Sequence, residues 1–176
     1  MAGFDVPVGI DRVRHQDLAG RNHHVWWRRG VLVLVAALPV LGLLNFFGQR
    51  ASPATYESSS AVLTIDSPVH VRGGLIFTTE VAITPRGQLM DARLYLDRGW
   101  FKGMTFNGAA PQPSTESAQG RWTIWDYGQL PAAAAFRVWI SWQTNPTNLG
   151  RHSQDVELYD GGTQLMKIHR MITVFP

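Results

Sequence analysis

The run Val31 to Phe47, VLVLVAALPVLGLLNFF, constrains this chain more than any other stretch, because it carries no charge and fixes where everything on either side of it can be. A helix over the run rises about 1.5 Å per residue and reaches roughly 26 Å, and Gly30 and Gly48 extend it toward the ~30 Å hydrocarbon core of a bilayer. Two other readings compete. A cleaved signal peptide needs a short basic leader and a small-residue cleavage site close behind the apolar core. Here some thirty residues precede the run, Gly48-Gln49-Arg50 follows it, and the small residues Ser52-Pro53-Ala54 stand farther on. A buried helix of a soluble protein would suit the modest length together with Pro39 and Asn45. The flanks favour a span.

Those flanks also give an orientation. Arg12, Arg14, Arg21, Arg28 and Arg29 precede the run, whereas Arg50 alone follows closely, and the side richer in Lys and Arg stays cytoplasmic. The N-terminus is therefore expected inside and the C-terminal part outside. Trp26 and Trp27 beside Arg28 and Arg29 suit the inner headgroup layer, where an indole buries its body and keeps its N–H wet. Pro39 removes one helical hydrogen bond and predicts a kink. The expected organisation is a disordered cytoplasmic tail over 1–30, a transmembrane helix over 31–48, a tether over 49–60 (QRASPATYESSS) and an extracytoplasmic domain over 61–176.

The sequence pI of about 9.7 raises nucleic acid as a partner, and the distribution of charge answers it. From Ala51 onward ten basic residues face ten acidic ones, so the excess lies in the tail and leaves the domain no basic stripe to follow a phosphate backbone. The basic tail suits anionic lipid instead. The chain has no cysteine, which excludes lipoprotein processing and leaves the outer domain to fold by apolar packing without disulfides.

The domain reads as strands. Ala61 to Asp66, Leu75 to Thr84, Leu89 to Asp97, Met104 to Asn107, Arg121 to Tyr127, Ala135 to Thr144, Val156 to Tyr159 and Gln164 to Phe175 are apolar or alternating runs separated by turn chemistry such as Pro85-Arg86-Gly87 and Asp160-Gly161-Gly162-Thr163. Gly108 to Gly120 (GAAPQPSTESAQG) is expected to be a mobile loop. Seven or eight strands at this spacing predict an all-β, antiparallel sandwich preceded by one transmembrane helix.

Tyr127-Gly128-Gln129-Leu130-Pro131 ahead of a late strand, with Ile172-Thr173-Val174-Phe175-Pro176 closing the chain, resembles the immunoglobulin-like sandwich modules that prokaryotes attach to membrane anchors. Those modules place glycine after the Leu-Pro pair, where this chain has Ala132. The resemblance implies an adhesion, scaffold or accessory role for residues 61–176, and the anchored layout resembles bacterial single-pass proteins with one exported domain.

Chemistry-bearing patterns are sparse. Neither a Gly-x-Ser-x-Gly elbow nor a Ser-x-x-Lys pair occurs, and Arg72-Gly73-Gly74 is too short to cradle phosphate. His15, His23 and His24 lack a supporting cysteine or carboxylate cluster. His169, Met171, Met104 and Met90 form a weak Cu(I) pattern that alternation already explains. His152 and Asp155 form an acid–base pair with no third group to orient it. The expectation is no enzyme, no metal and no cofactor. The aromatic residues are more telling. Alternation puts Trp125 and Tyr127 on one parity of their strand and Trp139 on the outward parity of the next. If these face solvent, they form an interaction surface. Trp100 and Phe101 are a second candidate contact. The sequence thus predicts a membrane-anchored interaction domain that meets the bilayer and an envelope protein partner, or binds a cell-wall glycan by stacking.

Overall fold

The computed structural model of the chain describes residues 22–44 and 49–176, in two units treated separately below. The first is one helix, α1, Asn22–Leu43. It begins nine residues before the expected position because Val25, Trp26, Trp27 and the two arginines after them are all helix-compatible and Gly30 only weakens the helix. Its stretch Val25–Leu43 is long and apolar enough to cross a membrane, and none of that stretch is buried against protein. Residues 22–30, expected as part of a disordered tail, are therefore helical. Pro39 sits one turn from the C-terminal end of α1, so the helix continues through it for only one turn more. The rest of the tail, with Arg12, Arg14, His15 and Arg21, and the end of the apolar run, with Asn45, lie outside the described residues.

The second unit is all-β. Its strands are β1 Ala51–Glu57, β2 Ala61–Pro68, β3 His70–Arg72, β4 Ile76–Pro85, β5 Leu89–Asp97, β6 Met104–Ala110, β7 Thr115–Gln119, β8 Trp122–Leu130, β9 Phe136–Thr144, β10 Gly150–Ser153, β11 Val156–Asp160, β12 Thr163–Ile168 and β13 Met171–Phe175. One five-stranded antiparallel sheet, the first sheet, has the order β1-β2-β4-β9-β6, and a second has the order β12-β11-β5-β8-β7. A small sheet, β10-β13-β3, includes the parallel pair β3/β13. The inward faces of the two large sheets share one core, with Leu63, Ile65, Val81, Val138 and Ile140 from the first against Leu94, Leu96, Trp125 and Leu158 from the second. The antiparallel sandwich expected from alternation is the observed fold.

Three differences from the sequence reading have physical causes. Residues 51–57, expected in the tether, are β1, zipped to β2 from Ala51↔Pro68 to Glu57↔Val62. Polar composition hid the strand because one face of an edge strand is wet. Gly108 to Gly120, expected as a mobile loop, instead ends β6 and supplies β7, a wholly exposed edge strand whose one sheet neighbour among the described residues is β8. The run 164–175, expected as one strand, is two strands in different sheets. The break falls at His169 and Arg170. The buried Arg170 guanidinium donates to the Ile65 carbonyl at 3.0 Å and the Ser67 carbonyl at 2.8 Å, pinning the crossover to β2.

Candidate interaction surfaces

Outward-facing residues on β9 follow the predicted parity. Val138, Ile140 and Trp142 are fully buried, while Trp139 points away from the core and is 46% exposed. The register places Trp139 beside Glu80 of β4 on one side and Ala110 of β6 on the other, with Asp66 of β2 one strand beyond Glu80. Arg137, two residues away on the same face, donates to Glu80 at 2.7 Å. A shallow cavity of about 300 Å³ opens there, lined by Thr64, Asp66, Glu80, Ala82, Thr84 and Arg137 among others. The outer face of the first sheet is thus largely small side chains, bearing the Trp139 indole, the Arg137–Glu80 ion pair and a polar depression, with Ile76 exposed at one end and the Arg86–Glu57 pair at the other.

On β8 the parity is inverted. Trp125, predicted to face solvent, is fully buried, because the register sets it opposite the buried Leu94 of β5. Phe106 packs on it at 5.5 Å between ring centroids. Tyr127 shares that inward parity and packs on Phe136 at 5.0 Å, half-buried. Its hydroxyl is buried without a hydrogen-bond partner among the described residues, and burial pushes the phenol well above its ordinary value. The second predicted contact is also corrected. Trp100 is fully buried, donates from Nε1 to the Asp155 carbonyl at 3.2 Å and lies 5.6 Å from Trp142, while Phe101 meets the same Trp142 edge-on and is half-buried. Bulk and proximity to turns do not expose these rings; together with Trp142 they form the aromatic part of the core, with the partly exposed Phe106 packed at its edge.

The inversion hid a second surface. With Trp125 inward, Trp122 faces out beside Tyr95 at 6.4 Å, and Tyr95 stacks on Tyr159 at 4.3 Å, giving a half-buried aromatic ladder across β8, β5 and β11. Arg121 and Lys167 lie over Trp122 at 5.0 and 5.8 Å. Glu157, between them, accepts from Lys167 at 2.8 Å and from the Tyr159 hydroxyl at 3.1 Å. Asp126 was the available clue. It shares the parity of Trp122 and Ile124, and it pairs outward with Arg93 at 3.4 Å.

Groups considered for chemistry are distributed as follows. Asp155 accepts from Arg121 at 3.2 Å, His169 Nδ1 lies 3.2 Å from it, and it also accepts the Arg170 backbone N–H. Its bonds run to these groups and not to His152, whose Nε2 is buried without a partner among the described residues. Arg121 also pairs with the buried Asp97 at 2.9 Å, and that hydrogen bond raises the guanidinium pKa further. Met90 stands at the β4–β5 hairpin and Met104 at the opposite end of the sandwich, so these two do not converge on His169 and Met171. In the helix, Trp26 and Trp27 are exposed, and the Arg29 guanidinium lies 5.8 Å over the Trp26 ring; Arg28 is likewise exposed.

No protein-family model matches the chain, and no curated protein matches it. Among solved structures, it is similar to a non-cellulosomal cohesin from the hyperthermophilic archaeon Archaeoglobus fulgidus, at 13% identity and a TM-score of 0.40, over 60% of this chain and 84% of that one. It is also similar to a FixG-related protein from Vibrio parahaemolyticus, at 12% identity and a TM-score of 0.32, over 58% and 82%. Both likenesses are of backbone architecture.

Proposed function

We propose that this chain is a membrane-anchored, non-catalytic binding domain, held by α1 with its N-terminus in the cytoplasm, that docks an envelope protein as an accessory or scaffolding subunit. The observation that carries the reading is Trp139. It is an indole 46% exposed on the outer face of a five-stranded sheet, beside an arginine, in a domain whose other tryptophans are buried or half-buried. Trp and Arg dominate the energetics of protein interfaces when surrounded by small residues that exclude water, which is the composition of this face. The carboxylates that could serve as acids or bases, Asp97, Asp155 and Glu157, are engaged by arginine, histidine or lysine.

The polar depression beside Trp139 supports a second reading, a glycan-binding module in which the indole stacks on a sugar ring and Asp66, Glu80 and Thr64 receive its hydroxyls. Extraction of the full-length chain from its native membrane in mild detergent, beside a Trp139→Ala chain, separates the two. A protein retained near-stoichiometrically by the native chain and lost by the variant supports the docking subunit. Retention of wall polymer in a pull-down, again lost with Trp139→Ala, supports the glycan module. Equal retention by both chains contradicts the assignment of this face.

A further inference from the structure

The two ends of the sandwich differ. The chain enters β1 at Ala51, level with Pro68, and Asp66 is level with Glu80, so the entry point stands near the Ile76 end of β4. The same end gathers the 72–76 turn, the start of β6 and the 144–149 loop. Gly74 N–H donates to the Thr144 carbonyl at 2.9 Å, Asn145 N–H to the Gly103 carbonyl at 3.0 Å, and Asn148 Nδ2 to the Lys102 carbonyl at 3.1 Å. Gly73 lies so close to Pro146 that a Cβ there would sit 2.9 Å from its carbonyl oxygen.

This end exposes apolar side chains that the fold does not need outside: Leu75 at 46%, Ile76 at 58% and Leu149 at 48%. Its exposed charges, Arg72 and Lys102 among them, are basic, whereas Asp97 and Asp155 near the same end are buried and bonded to Arg121. The opposite end is built from Ser58 to Ser60 and the Arg86–Gln88 turn, with Arg86 paired to Glu57 at 2.7 Å and Asp160 accepting two backbone N–H groups. Met90 is its exposed large hydrophobic residue among the described ones, beside the exposed small residues of 131–135.

We propose that the Leu75–Ile76 end rests on the outer leaflet of the bilayer, its apolar tips in the headgroup layer and its basic side chains on anionic lipid. This rests on the anchored reading given above. Chain length selects the occupant. Residues 44–50 separate α1 from β1 and span about 25 Å at full extension, whereas the far end lies beyond the ten-residue β4, roughly another 33 Å. An apolar surface framed by basic residues and leashed this close to a membrane is an interfacial contact.

The absence of cysteine makes the test clean, since each introduced thiol is unique. The full-length chain carrying Val35→Cys, Ile76→Cys or Met90→Cys is nitroxide-labelled and placed in nanodiscs of phosphatidylcholine and phosphatidylglycerol, one chain per disc. Accessibility to oxygen, which partitions into lipid, is compared with accessibility to a water-soluble nickel chelate. The expected result is that labels at 35 and 76 favour oxygen while the label at 90 favours nickel. Labels at 76 and 90 equally open to nickel, with 35 in lipid, overturn the contact and leave the anchor standing. A label at 35 open to nickel overturns the anchor and the contact together. Dipolar broadening between labels at 76 when two chains share a disc assigns this end to a second copy and likewise overturns the proposal.

Discussion

The outer faces of the two sheets are built from similar strands and carry different burdens. On the first sheet, Thr55, Thr64, Ala82, Thr78 and Ser141 leave a low surface of small side chains from which Trp139 projects beside Arg137, with the exposed Ile76 at one end of the same face. On the second, Trp122, Tyr95 and Tyr159 cover one another and are roofed by Lys167 and Arg121. An aromatic ladder of that kind repays its ordering through cross-strand contacts. A lone indole on a bed of threonine gains little from its neighbours. Exposure without local compensation marks the first sheet as the binding face and the second as the self-stabilised one.

The sharpest way to break the comparison is through the core between the faces. Trp125→Ala deletes a fully buried indole and is expected to cost about 3–5 kcal/mol in denaturant unfolding. A loss below 1 kcal/mol would return Trp125 to the surface. Gly128→Ala is next. Gly128 has φ of 66° where the β5/β8 register shifts, and a side chain there is expected to cost about 1–2 kcal/mol. No measurable loss in denaturant unfolding would contradict the left-handed backbone assigned to Gly128.

Smaller effects sharpen the contrast. Tyr127→Phe removes a buried hydroxyl that has no partner among the described residues, so stability at neutral pH is expected to change by less than about 1 kcal/mol. The sign of its pH dependence follows from burial, which raises the folded phenol above the ordinary value of 10.0. The folded state then holds its proton longer than the unfolded state. Its contribution is present below about pH 10 and is lost as pH rises toward the folded value. Thermal melts of Tyr127→Phe should therefore show a shallower alkaline decline than the native chain, with Tyr159, also raised by burial and by its bond to Glu157, supplying what remains. The smallest expected effect is Trp139→Ala, within about 0.5 kcal/mol of native stability while binding is lost.

How much of this was legible in the sequence depends on whether polar residues fixed a parity. On β5 and β9, Asp91, Arg93, Arg137, Ser141 and Gln143 mark the wet face, and Ala92, Leu94, Leu96, Val138, Ile140 and Trp142 on the apolar parity are buried, whereas Met90, which alternation placed with them, is 66% exposed where the register shifts between Leu89 and Ala92. On β8 both parities carry large apolar residues, and only Asp126 points the right way. The decision falls to the pairing of Trp125 with Leu94, a contact between strands that no local pattern contains. Trp100 was misread for a related reason, since its indole reaches across the core to Trp142 and bonds the Asp155 carbonyl. The edge strands β1 and β7 escaped because their outward side chains are indistinguishable from those of a loop. Of the candidate surface, Trp139 alone survives as an exposed residue.

The most direct test of the account is hydroxyl-radical footprinting of the full-length chain, read by mass spectrometry at Trp125 and Trp139, in native membranes and after purification. The account predicts that Trp125 is silent in both, and that Trp139 is protected in the membrane, where its partner is present, and oxidised in the purified protein once the partner has been stripped from it. Oxidation of Trp139 to the same extent in both would contradict the claim that this face is the one the chain uses.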